Sequence, residues 1–229
     1  KQDLERIARE GDEYWESWNR VYRDNIRSHI QHHFVRTPRI QSLDELLQKI
    51  ENELNPVVKG YVVISWYNQW SSTIIEDIIN NYPRVIPTPR RIDKVDFFFL
   101  DIPLDLKITF IPREYTRRLR KHGITAPKDI VEHIRRNPED LIKWFYENQG
   151  ESRFSDSHRL FIVLADITDL ENSWRLKASF DLIKSSVYRF FDSRKTRNQF
   201  RKVKWTFQGD RIEGEFETYS DLILIIQGS

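Results

Sequence analysis

Apolar positions in the first third of the chain recur at helical spacing. Tyr14, Trp15, Trp18, Val21 and Tyr22 fall three and four residues apart and form one apolar stripe. Ser42 with Glu45 makes a capping-box pattern, and Leu43, Leu46, Leu47, Ile50 and Leu54 continue it as a helix that Asn55-Pro56 closes. Residues 60–70 are apolar and aromatic without a deciding period, so their state stays open. Ser71 or Ser72 is then expected to cap a helix that buries Ile74, Ile75, Ile78 and Ile79, with Glu76 and Asp77 nearby.

After Pro83, Pro87 and Pro89 the period changes from helix to strand. Asp96-Phe97-Phe98-Phe99-Leu100 predicts a strand, Asp101-Ile102-Pro103 a turn, and residues 104–111 a second strand. In that second strand Leu104, Leu106, Ile108 and Phe110 face one way, and Asp105, Lys107 and Thr109 the other. Helices are expected over 114–148, a buried strand over 160–165 and one helix over 170–191. Short strands should follow over 202–226, with Gly209 and Gly214 as turn signals. The pattern predicts an α/β fold of mixed α+β type, a central mixed sheet flanked by helices, with a helical N-terminal region. It reads as a single domain over 1–229: a mainly helical region 1–70, a core 71–191 and C-terminal strands 192–229.

Composition narrows the function classes. With 39% hydrophobic and 13% aromatic residues, a chain of 229 can bury a sizeable core and is not disordered. The net charge of +2 arises from 37 basic and 35 acidic groups, so strong local fields are compatible with a nearly neutral average. Such a balance allows a nucleic-acid partner without requiring one. The absence of cysteine excludes disulfides, zinc-thiolate sites and thiol catalysis. No apolar run has the length of a membrane span and no signal peptide is evident, so the expected location is cytoplasmic, as a soluble intracellular protein.

The informative chemistry is the set Asp96, Asp105 and Lys107. In a tight hairpin turning near Asp101, Asp96 falls roughly opposite Asp105 or Lys107, and these two share a face by the two-residue period. Two carboxylates held close repel unless a cation joins them. Hard oxygen ligands with room for water suit Mg2+. That ion would polarise a phosphodiester oxygen and acidify a water, while Lys107 orients the water or stabilises charge on phosphorus. Glu76, on the preceding helix, would add a third carboxylate. Asp93 and Asp101 are rivals for the first acid, Asp101 being better explained as a turn residue.

Asp96 followed by Asp105-Leu106-Lys107 on the next strand resembles the signature of the PD-(D/E)xK nuclease superfamily. In that pattern an acid opens one strand, acid-x-lysine stands on the next, and an upstream helix often adds a glutamate, matched here by Glu76. The order helix, hairpin, helix, buried strand also resembles the superfamily's core, over roughly residues 70–190. Lys94-Val95 stand where the pattern's name implies proline. The resemblance implies a restriction-endonuclease-like core, with Asp96, Asp105 and Glu76 as metal ligands and Lys107 as the catalytic lysine. It also implies a Mg2+-dependent type II restriction enzyme-like endonuclease acting on double-stranded DNA without a nucleotide cofactor. A homodimer would suit palindromic sites, each subunit cutting one strand. Other readings are a repair, recombination or RNA-directed nuclease, a non-catalytic nucleic-acid-binding protein, and a plain surface hairpin whose acids and lysine pair across strands.

Two basic clusters would grip phosphates. One comprises Arg113, Arg117, Arg118, Arg120, Lys121 and His122, and the other Arg194, Lys195, Arg197, Arg201, Lys202 and Lys204. Each also reads as a solvated helix face. His29 and His33 have i, i+4 spacing beside His32, but no acidic third ligand stands near, and an exposed amphipathic helix explains them. Trp15, Trp18, Trp66, Trp70 and Trp144 are read as core or subunit contacts, a minority as wedges between bases.

Overall fold

A computed structural model of the chain describes residues 1–12, 14–15, 30–53, 59–89, 94–151 and 154–228. The chain divides into two compact units, one of residues 1–75 with 177–180, the other of residues 76–176 with 181–229. The helical region 1–70 falls in the first; the hairpin, the buried strand and the C-terminal strands fall in the second.

The first unit holds α1 (Gln2–Glu10), a π-helical turn (Gln31–Val35), α2 (Leu43–Glu53) and most of α3 (Lys59–Asn80). Helix α1 buries Leu4, Ile7 and Ala8, the i, i+3, i+4 stripe of an amphipathic helix. Helix α2 opens where the capping pattern puts it. The Ser42 hydroxyl accepts the Glu45 amide at 3.2 Å, and the Glu45 carboxylate reaches back to the Gln41 amide at 2.8 Å, so two otherwise orphaned donors are satisfied. Trp18, Val21, Tyr22, His29, Asp93 and the Asn55-Pro56 stop lie outside the described residues.

Helix α3 corrects two expectations. Residues 60–70 are helical, and Ser71 and Ser72 lie inside the same helix instead of capping a new one. Residues 60–67 are all buried, and a helix that is apolar all round shows no stripe to read. The Ser71 hydroxyl donates to the Asn68 carbonyl at 3.3 Å and Thr73 to the Gln69 carbonyl at 3.1 Å, which is how a helix interior accommodates these side chains.

The second unit is built on a six-stranded sheet in the order β1-β2-β3-β4-β6-β5. Its strands are β1 (Val85–Pro87), β2 (Phe97–Phe99), β3 (Ile102–Phe110), β4 (Arg159–Asp166), β5 (Arg201–Gln208) and β6 (Glu213–Gln227). Strands β3, β4 and β6 run parallel; β1–β2, β2–β3 and β5–β6 are antiparallel pairs. The β2–β3 turn is the pair Leu100-Asp101, with φ of 51° and 60°, so Ile102 and Pro103 already belong to β3 and not to the expected turn. Two central residues at positive φ are the geometry that matches the twist of a two-residue hairpin.

Between β3 and β4 come α4 (Arg113–Lys121), α5 (Pro127–Arg136) and α6 (Pro138–Glu147). After β4 the expected single helix over 170–191 is two: a 3-10 segment (Leu170–Ala178) and α7 (Phe180–Ser193), parted at Ser179. Instead of short C-terminal strands, β6 runs for 15 residues, because its first half pairs with β5 and its second with β4.

Helices cover both faces of the sheet. On one face Phe161, Val163 and Ala165 of β4 and Val203, Trp205 and Phe207 of β5 share a buried cluster with Tyr115, Ile134, Leu141 and Tyr146. On the other, Phe99 lies 4.5 Å from the Phe191 ring of α7, and Tyr82 lies 4.9 Å from the same ring. No helix among the described residues is long and apolar enough to cross a membrane.

Candidate active site

The regular β2–β3 ladder ends at Phe97 opposite Leu104. One residue earlier the chain leaves the strand, and the Asp96 amide turns to the Leu104 carbonyl at 2.9 Å. Its carboxylate then accepts the Leu106 amide at 2.6 Å, so a side chain takes the place that the next carbonyl of β2 would hold in the ladder. The Asp96 carboxylate lies near enough to Asp105 and Lys107, the two side chains that β3 projects from one face, for both to act on its charge. Although Asp96 is exposed as a residue, its carboxyl is desolvated by its surroundings, which pushes its pKa up. The adjacent Asp105 pushes the same way, while the Leu106 amide and the Lys107 ammonium hold the pKa down.

Asp105 is buried, 8% of its side chain remaining exposed. Lys107, 45% exposed, donates from Nζ to Asp105 Oδ1 at 2.6 Å. The second oxygen accepts Arg159 Nε at 3.3 Å from the facing position of β4. Arg159 is itself buried and held from several sides. Its Nη2 donates to Gln149 Oε1 at 2.9 Å, and its guanidinium lies 4.7 Å from the centre of the Tyr146 ring. The Tyr146 hydroxyl is fixed by the Ser157 carbonyl and the Ser220 hydroxyl, both at 2.7 Å. Burial pushes the Tyr146 pKa up to about 12, so this hydroxyl stays protonated as a donor.

Asp96, Asp105 and Lys107 are therefore gathered, and Arg159 and Gln149 join them unforeseen. The one signal for Arg159 in the sequence is a charge standing directly before the apolar run of β4. Glu76 is exposed on the last turns of α3. Among the described residues no group of three or more histidine, aspartate or glutamate side chains converges, so Glu76 does not close a three-ligand set with the two aspartates. Asp101 is exposed at the hairpin turn, as a turn residue.

The basic clusters divide into committed and exposed groups. Arg113 pairs with Glu171 at 3.0 Å, and Arg118 pairs with Asp140 at 2.6 Å while covering the Tyr115 ring. Arg117, Arg120 and Lys121 are exposed on α4 and make no ion pair among the described residues. In the second cluster Arg194 and Arg201 both bind the fully buried Asp221, Arg194 at 2.9 Å. Lys202 pairs with Glu217 at 3.5 Å, and Arg197 lies 4.4 Å from the centre of the Tyr219 ring. Lys195 is exposed; its backbone amide donates to the Gln199 side chain. His32 and His33 are exposed in the π-helical turn.

The donor set at Asp96 and Asp105 is all hard oxygen, without thiolate or imidazole, and one of the two carboxyls has a raised pKa beside the other. Such a pair fits a magnesium ion, which takes one or two protein carboxylates and keeps most of its waters. No family model, curated protein or solved structure matches this chain.

Proposed function

We propose that this chain is a Mg2+-dependent nuclease whose reacting groups are Asp96, Asp105 and Lys107. The observation that carries the reading is the Asp96 carboxylate seated on the Leu106 amide, within electrostatic reach of Asp105 and Lys107. The order around it supports the same reading: helix α3, the β2–β3 hairpin, helices α4–α6, then the buried parallel strand β4. That order resembles the core of PD-(D/E)xK nucleases.

In this reading Asp96 and Asp105 hold the ion, which supplies a Lewis acid for a phosphoryl oxygen and acidifies a water. Lys107, exposed enough to meet a substrate, places its ammonium against the phosphodiester and stabilises the charge that grows on its oxygens. The water oxygen would bond to phosphorus while the phosphorus–oxygen bond to one sugar breaks, and the proton that the water gives up to solvent is matched by one that the departing sugar oxygen takes from it. The Leu106 amide keeps Asp96 from turning away during the step. Exposed Arg117, Arg120 and Lys121 on the helix directly after β3 supply phosphate contacts. The preferred substrate is double-stranded DNA cut at a short site by a type II restriction-like homodimer.

A second reading has its own support: both oxygens of Asp105 are already engaged by cations, as in a purely structural ion-pair network. It makes the chain a non-catalytic nucleic-acid-binding protein. Digestion of plasmid DNA and of structured RNA, with and without Mg2+, wild type beside Lys107→Ala, separates the two. Cleavage that needs Mg2+ and Lys107 supports the nuclease; discrete DNA fragments support site specificity, and RNA cleavage alone moves the substrate to RNA. No cleavage of either polymer under any divalent ion overturns the nuclease reading.

A further inference from the structure

Arg159 has no part in the reacting set just described, yet it is a buried arginine built into that set's wall. It binds Asp105 Oδ2 at 3.3 Å and is immobilised by Gln149 and by the Tyr146 ring. Gln149 is held in turn, donating from Nε2 to the Ser155 carbonyl at 3.1 Å. Such a side chain cannot swing out to meet a substrate. Its charge counts nonetheless, since it sits on a carboxylate that is 8% exposed.

The charges of the four groups sum to zero: two carboxylates against the Lys107 ammonium and the Arg159 guanidinium. A pair of carboxylates alone would draw a dication strongly, whereas a neutral set draws it weakly. A phosphodiester entering beside Lys107 brings negative charge and takes up part of that ammonium, which leaves the carboxylates freer to bind a cation. Resting on the nuclease reading, we infer that Arg159 is a positioning residue that makes divalent-cation binding depend on bound nucleic acid. It fixes the Asp105 carboxylate through one oxygen and offsets its charge, so the ion binds firmly only together with a phosphate backbone. By linkage, nucleic acid then binds more tightly when the ion is present, by the same factor.

The test is titration of the full chain with Mn2+, free ion being counted by electron paramagnetic resonance. It is run with and without a mixed-sequence DNA duplex, whose integrity after the titration is checked by gel. Wild type is expected to bind Mn2+ about tenfold or more tightly with the duplex than without it. Arg159→Gln should bind Mn2+ about tenfold more tightly than wild type in the absence of duplex, so that binding of the ion no longer waits on the duplex. Arg159→Lys keeps the charge and should behave as wild type. A merely structural arginine predicts lost stability in both variants with no change in Mn2+ affinity. Equal Mn2+ affinity of wild type with and without duplex overturns the inference, and needs no variant to fold. Equal affinity of wild type and a folded Arg159→Gln overturns it as well, leaving the nuclease reading intact if Mg2+-dependent cleavage stands. Absence of Mn2+ binding in every arm, Asp96→Asn included as a control, overturns both.

Discussion

The backbone amide of Leu106 donates to the Asp96 carboxylate at 2.6 Å. The strand that carries Asp105 and Lys107 thereby also fixes the acid on its neighbour, and the site is assembled by one hairpin. Asp96→Asn keeps an oxygen for the Leu106 amide but loses the negative charge. It should melt close to wild type and cleave about a hundredfold more slowly or worse. Asp96→Ala leaves that amide without its acceptor and should cost about 1 kcal/mol besides. Cleavage by Asp96→Asn at the wild-type rate would show that the carboxylate serves only the hairpin.

On the proposed nuclease reading, loss of Lys107 separates catalysis from folding, because its side chain is 45% exposed and its removal leaves Asp105 still paired with Arg159. Lys107→Ala is expected to lower cleavage by about a hundredfold or more while duplex binding stays within a few-fold. Filter binding in Ca2+ together with plasmid cleavage in Mg2+ checks both halves. By contrast, Asp105→Ala strands a buried arginine and should cost about 3 kcal/mol or more, so lost activity in that variant would say little by itself.

Much of this was legible in the sequence, and what was not has physical reasons. The alternation of Leu104, Leu106 and Ile108 with Asp105 and Lys107 reveals β3, because a strand with one polar face writes its period into the chain. Helix α3 hid its continuity for the opposite reason: residues 60–67 are buried all round, so no stripe separates helix from strand. Arg159 was invisible because its partner Asp105 lies 54 residues earlier, across a parallel pairing that no local pattern encodes. The basic clusters read as uniform in sequence, yet folding commits Arg113, Arg118, Arg194 and Arg201 to acids and leaves Arg117 and Arg120 exposed.

That division predicts different phenotypes for adjacent arginines on α4. Arg117→Ala should weaken duplex binding and reduce the slope of log affinity against log salt by about one, with little effect on stability. Arg118→Ala removes the Asp140 pair and the guanidinium from the Tyr115 ring, 4.8 Å away, and should cost about 1 kcal/mol, discounted for its exposure. Salt-series binding curves beside urea melts of the two variants make the comparison. Identical salt slopes for wild type and Arg117→Ala would return that residue to the solvated surface.

The hairpin turn carries strain that can be relieved. Leu100 and Asp101 both adopt positive φ, 51° and 60°, where residues with a Cβ are disfavoured and Asn-Gly is the preferred pair. Leu100→Asn with Asp101→Gly should raise stability by about 1 kcal/mol, as far as the lost Leu100 packing allows. On the proposed reading cleavage should be unchanged, since Asp101 is an exposed turn residue and Asp96 is taken as the first acid. A loss of cleavage in Asp101→Gly alone would reopen that assignment.

Lys177 sets the alkaline behaviour of the first unit. Its ammonium is almost fully buried, donating to Asn68 Oδ1 at 3.0 Å, and burial pushes its pKa down to about 8. Among the described residues no carboxylate offsets that desolvation. Below about pH 8 the folded chain holds a buried charge at a cost on the order of 3 kcal/mol. Between there and the ordinary lysine pKa the unfolded chain binds the extra proton, so stability should rise with pH across that window. Tyr146 works the other way, because its pKa is raised to about 12: the stability it contributes is complete below the ordinary tyrosine pKa and is lost as pH climbs toward that value. Urea unfolding at intervals from neutral to alkaline pH should show wild type gaining stability above pH 8, while Lys177→Met, with no charge to bury, shows no such gain. A flat wild-type profile across that window would mean that the amine is solvated in the folded chain and carries no penalty.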